Sequence, residues 1–174
     1  EIIWDKRFGF LKETLVAPVS RLKIMVGRTL GGASVAMLQG FIVMIISMFV
    51  GFRFANLALL PLALVFMFLI ALFFTALGTA IASKLEDMQG FQLIMNFLVM
   101  PIFFLSGALF PLENFPGPIR VVSNLNPLSY GVDGLRGAVT GVSHFGLPAD
   151  LLVLSIIVVV VLVIGSYLFT KIEV

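Results

Sequence analysis

RFGFLKETLVAPVSRLKIMVGR, residues 7–28, is the long amphipathic piece of an otherwise oily chain. Phe8, Leu11 and Leu15 recur at helical spacing, with Lys12 and Glu13 on the other side. Pro18 ends that helix, because its ring clashes with the preceding turn and pushes the residue before it out of the α region. Ser20 then stands where a second helix would be capped, beginning at Arg21 and running into uncharged sequence after Arg28. A short surface helix is thus hinged directly onto a membrane span. Such a joint suits a device that receives a push from outside the bilayer.

Outward from this stretch, composition sets the class. Of 174 residues, 60% are hydrophobic and only 11% are charged, and the mean hydropathy is +1.17. Soluble domains carry about 25% charged residues, so the chain reads as an integral membrane protein. With no cysteine, disulfides, thiol catalysis and cysteine metal sites are excluded. The first residue is Glu1 rather than Met, and no signal peptide pattern precedes the first span. An N-terminal truncation is therefore expected.

Crossing the hydrocarbon core takes about 20 helical residues. Four uncharged stretches meet that length: 29–52, 54–83, 88–112 (broken by Pro101) and 151–170. The expected fold is an all-α polytopic bundle of four transmembrane helices. To these it adds an N-terminal amphipathic cytoplasmic segment over 1–28 and an outer segment over 113–148, within one transmembrane domain. With the N-terminus in the cytoplasm, Lys6, Arg7, Lys12, Arg21, Lys23, Arg28, Lys84 and Lys171 lie inside. Arg53, Arg120 and Arg136 lie outside. Eight of the eleven basic residues then face the cytoplasm, as the bias of basic loops requires, and both termini are cytoplasmic.

Small residues recur every four positions: Gly32, Ala36 and Gly40 in the first span, and Ala71, Thr75, Thr79 and Ser83 in the second. They let helix backbones approach closely, within one bundle or across a dimer seam. Gln89, Gln92 and Asn96 form a polar stripe on the third span. Amides in a bilayer need partners, so this face meets another helix or lines a path; Gln39 has the same two readings. In the outer segment, Gly117-Pro118 and Asn126-Pro127 each read as a helix start. They define two short outer-face helices, partly dipping into the interface. Asp133 and Arg136 are three apart and able to pair.

No catalytic set emerges. His144 stands alone in a Gly-flanked loop, where a solvated side chain is expected rather than a metal ligand. No residue spacing suggests a nucleophilic triad. A GxxxxGK loop is lacking too, so the chain is not expected to bind ATP itself. The span interiors contain no Asp, Glu, Lys, Arg or His, which argues against proton-driven transport. Energy for any transport would enter elsewhere, with the amphipathic helix as the entry point.

FGFLKETLVAPVSR followed by a span resembles the first cytoplasmic loop of type-2 ATP-binding-cassette exporter permeases. LSGALFPLENFPGPIRVVSNLNPLSYGVDGLRG resembles that family's outer segment before its last span. The resemblance implies six spans per permease subunit, two permease subunits and two cytoplasmic ATPases. The four spans found here then imply that an N-terminal helix and two spans are missing. By the same resemblance, residues 8–17 form the coupling helix. Phe8, Leu11 and Leu15 are its apolar anchors, and Glu13, Thr14, Pro18, Ser20 and Arg21 match the loop's characteristic positions. Glu13 and Arg21 are the candidates for polar contact with the ATPase. Gly107, Pro111, Asn126, Pro127, Tyr130 and Arg136 match the outer pattern, in a structural role that closes the exit side. The implied function is a multi-pass cell-membrane permease of an ATP-driven exporter. It has no cofactor of its own, ATP–Mg sits on the partner, and lipid but not nucleic acid surrounds it. The alternative is a membrane scaffold or assembly protein without an ATPase.

Overall fold

The structure, a computed structural model, describes residues 2–7, 19–85 and 87–170. Among them there are helices and turns but no strand. In chain order the helices are α1 (Ile2–Arg7), α2 (Arg21–Phe49), α3 (Leu60–Lys84), α4 (Met88–Phe104), α5 (Gly117–Leu125), α6 (Pro127–Thr140) and α7 (Leu147–Thr170). Single 3-10 turns at Leu57–Leu59 and Leu112–Asn114 lead into α3 and α5. Among the described residues, three segments are long and apolar enough to cross a membrane: Leu22–Phe49, Leu57–Lys84 and Leu147–Phe169.

The helix ends follow local chemistry. Ser20 occupies the N-cap position of α2 in extended conformation, and its carbonyl accepts from Ile24 N. Its hydroxyl makes no capping bond, so the expected side-chain cap is absent. At the other end, Gly51 takes φ +106°. Gly51 N donates to Met48 O and Phe52 N to Ser47 O, the paired bonds of a Schellman stop. That stop ends α2 at Phe49, short of the expected Phe52.

The third expected span departs further from the sequence reading. Pro101 does not break it; it lies inside α4, which runs one more turn to Phe104. A proline there removes one backbone donor near the helix end, where the ring is tolerated. The chain then turns through Gly107 at φ +79° instead of staying helical to Leu112. At 17 residues, α4 is about 25 Å long, short of a 30 Å hydrocarbon core.

The centre of the bundle is α3, which packs against α2, α6 and α7. Its Phe66 is fully buried, in a cluster with Ala33, Leu72, Phe73, Leu154 and Val158. The row of small residues on α2 faces α3: a Cβ on Gly32 would lie 2.5 Å from Thr75 Cγ2, and one on Gly40 2.6 Å from Met67 Cε. These small residues therefore serve contact within one bundle.

Helix α6, expected as a short outer-face helix partly dipping into the interface, is largely buried between α3 and α7. Gly131, Gly134 and Gly137 make this possible. A Cβ at Gly134 would stand 2.2 Å from Phe66 Cε1, and one at Gly131 2.7 Å from Ile70 Cγ1. Helix α5, in contrast, buries only Ser123.

Candidate functional site

Two ends of the bundle concentrate the polar side chains. At the first, residues 8–18 lie outside the described residues, and with them Phe8, Leu11, Glu13, Thr14, Leu15 and Pro18; so does the Arg21 side chain. Both anchors of that stretch are described. Before it, Ile3 of α1 is buried with Met25 of α2, Ala82 of α3 and Phe169 of α7. After it, Arg28 Nη2 of α2 pairs with Asp5 Oδ2 of α1 at 2.5 Å. Helix α1 and the start of α2, the described elements on either side of the stretch, thus meet at one end of the bundle. Arg28 Nη1 and Thr29 Oγ1 are buried there without hydrogen-bond partners among the described residues. Sequence reading missed the Asp5–Arg28 pair. Both residues are visible as charges flanking an apolar run, but their approach depends on how α1 folds back.

The second end gathers the outer residues. Gly107 is buried with Leu112 Cγ 2.9 Å from where a Cβ would be, and its φ of +79° also favours glycine. Its carbonyl accepts from Arg136 Nη2 at 2.6 Å. Pro111 precedes the 3-10 turn at Leu112–Asn114. Asn126 caps α6 through Oδ1 (Leu128 N, 3.0 Å), and its Nδ2 donates to Ile102 O at 2.6 Å, one of the carbonyls left free at the end of α4. Pro127 follows at the first helical position. Tyr130 Oη donates to Asn124 O at 2.7 Å, and its ring stacks on Phe145 at 4.8 Å. Side chains thus tie α4, α5 and α6 together through backbone carbonyls.

Asp133 does not pair with Arg136. It is buried, and it accepts from His144 N, Phe145 N and Ser143 Oγ. These donors come from the loop that enters α7, on a turn set by Gly141 at φ +79°. The same Ser143 Oγ lies 3.4 Å from Oδ2 of Asp150, whose Oδ1 is buried without a partner among the described residues. Asp150 escaped the sequence reading; an acid two residues after Pro148, in a first helical turn, was the available signal. His144 is not simply solvated: Nδ1 lies 2.7 Å from Glu113 Oε1. The Glu113 carboxyl is held below the usual carboxylate range, first by a backbone hydrogen bond at its own residue and then by His144. Glu113, Asp133, Arg136, Ser143 and His144 share a cavity of about 360 Å³. No group of three His, Cys, Asp or Glu side chains able to hold a metal is present among the described residues.

Gln89, Gln92 and Asn96 line one shallow groove of about 480 Å³ with Leu93 and Phe97, all of them on α4. The three amides are exposed on that helix, as Gln39 is on α2. The structure brings no second helix onto this face among the described residues.

Residues 1–140 match the family model described as ABC-2 type transporter. The chain is 30% identical over 136 residues to the putative transport permease ycf38 of Cyanophora paradoxa, covering 78% of this chain and 47% of that protein. The ycf38 protein of Porphyra purpurea is 31% identical over 145 residues, with the same coverage of 78% and 47%. The inner membrane transport permease YadH of Escherichia coli K12 is 29% identical over 150 residues, covering 86% and 57%. The chain spans about half the length of the relatives it matches.

Proposed function

Because the chain belongs to the ABC-2 type transporter family, we propose that it is the membrane permease part of an ATP-driven exporter. ATP–Mg binds to a separate cytoplasmic ATPase, which drives a pair of permease subunits. In this reading both termini face the cytoplasm, and α4 with residues 105–112 completes a fourth crossing. Residues 8–17 dock on the ATPase, with Phe8, Leu11 and Leu15 in a groove and Glu13 and Arg21 at its rim. The observation that supports the reading is the packing of α1 against the start of α2 at one bundle end, through Ile3, Met25 and the Asp5–Arg28 pair, on either side of the amphipathic stretch in the sequence. A push on the stretch therefore reaches the end of α3 and α7 through Ala82 and Phe169.

Leu11→Asp in the full-length protein tests this. A buried apolar anchor contributes about 1.5–3 kcal/mol, and a carboxylate in its place should release the ATPase. The permease is expected to insert normally, while ATPase co-purification falls and transport-coupled hydrolysis is lost. Unchanged ATPase binding would show that the apolar face merely lies on lipid, with Lys12 reaching the headgroups.

A further inference from the structure

Between α2, α3 and α6 lies a groove of about 720 Å³, within the usual range for ligand sites. It extends along α2 from Ala36 to Ser47, about 16 Å of helix axis. Its walls are carbon. The two hydroxyls that line it, Thr75 and Ser47, already bond to carbonyls of their own helices. Met44 and Met67 add side chains that adapt to an irregular occupant.

One cation, Arg136, stands among the lining residues, which also include Ser47 and Phe52. Among the described residues no carboxylate lies within ion-pair distance of Arg136, although Glu113 and Asp133 line a neighbouring cavity with it. Asp133 is occupied by the loop before α7, and Glu113 by His144. Arg136 is also the least of the influences on the Glu113 carboxyl. One guanidinium nitrogen holds Gly107 O, which fixes the side chain and leaves other donors of its fork without a partner among the described residues. A half-buried guanidinium that forms no direct ion pair among the described residues, in the lining of an apolar groove as long as much of an acyl chain, is complementary to one kind of molecule. We infer that the groove holds an anionic membrane phospholipid, its acyl chain along α2 and α3 and its phosphate on Arg136. This bound lipid is distinct from an exported substrate, and the site requires neither an ATPase nor one particular orientation of the bundle.

The test uses the full-length permease in liposomes, with its tryptophans replaced and one reporter restored. Val43→Trp places the reporter on the groove wall, and Val159→Trp places it on α7, where the side chain is exposed and lines none of the described grooves. The probes are phosphatidylglycerol and phosphatidylcholine brominated on the acyl chain. One basic residue near a membrane surface sets a preference of about fivefold for anionic lipid, so the Val43→Trp reporter should be quenched by phosphatidylglycerol with that selectivity. The Val159→Trp reporter should be quenched equally by both lipids. Arg136→Gln should remove the selectivity at Val43→Trp, and Arg136→Lys should retain it. Equal quenching at both reporters would reduce the groove to ordinary lipid contact and overturn the assignment. Absence of quenching at Val43→Trp would overturn it too, by showing that another protein segment fills the groove. Selectivity that survives Arg136→Gln would refute the headgroup contact.

Discussion

Gly134→Ala should destabilise this bundle although alanine is the better helix former. Its Cβ would stand 2.2 Å from Phe66 Cε1 and 2.3 Å from Cζ. Carbon atoms at rest lie about 3.5–4.0 Å apart, so ring or helix must move by more than about 1 Å. Phe66 is 0% exposed, which leaves the ring no free volume. Overpacking of this kind costs about 1–3 kcal/mol. Against it stands a propensity gain of about 1 kcal/mol for replacing a mid-helix glycine. The net effect of the single substitution is therefore modest, and a double-mutant cycle with Phe66→Leu is the sharper measurement. The propensity gain is the same in both backgrounds and cancels, leaving only the clash. The double variant should be more stable than the sum of the singles by about 1–3 kcal/mol. Unfolding of the full-length protein by denaturing detergent in mixed micelles reads this directly. A cycle that closes to within about 0.5 kcal/mol, with Gly134→Ala stabilising alone, would refute the close packing of α6 on α3.

The Glu113 carboxyl, held first by a backbone hydrogen bond and then by His144, predicts a pH signature. Because the folded Glu113 carboxyl is held below its usual value, its contribution exists above the ordinary carboxylate range and is lost as pH falls through the depressed value. The Tm gap between the protein and Glu113→Gln should accordingly open above that range and close in acid; a gap independent of pH would remove the role given to the Glu113 carboxylate. Gln92→Leu with Asn96→Leu should leave unfolding of the bundle unchanged, since both amides are exposed on α4, yet should lower transport if that face meets a path or a second subunit. Normal transport would leave the stripe without function. For orientation, Val142→Cys should react with an impermeant thiol reagent from outside intact cells and Lys23→Cys should not, both sites being exposed. The reverse pattern would invert the bundle.

Long uncharged runs alone declared the helices, because a backbone in lipid must satisfy its own hydrogen bonds. The start of α2 at Arg21 and the proline-led starts of α5 and α6 were also legible, since caps and prolines act within a few residues of themselves. The row of small residues on α2 was readable as a contact face, but its partner was not; Thr75 and Met67 oppose it only once α3 returns alongside. Asp133 and Arg136 show the limit most clearly. Spacing placed them within reach of each other, yet the fold turns Asp133 toward the backbone of residues 144 and 145 and Arg136 toward Gly107. Sequence spacing reports what neighbours on one helix can do. It carries no information about donors arriving from another loop, and burial makes those donors decisive, because a buried carboxylate is held best by several N–H groups at once. The depth of α6 was likewise a tertiary decision. Glycines three apart permit close approach, but only the ring of Phe66, delivered by a different helix, determines what approaches.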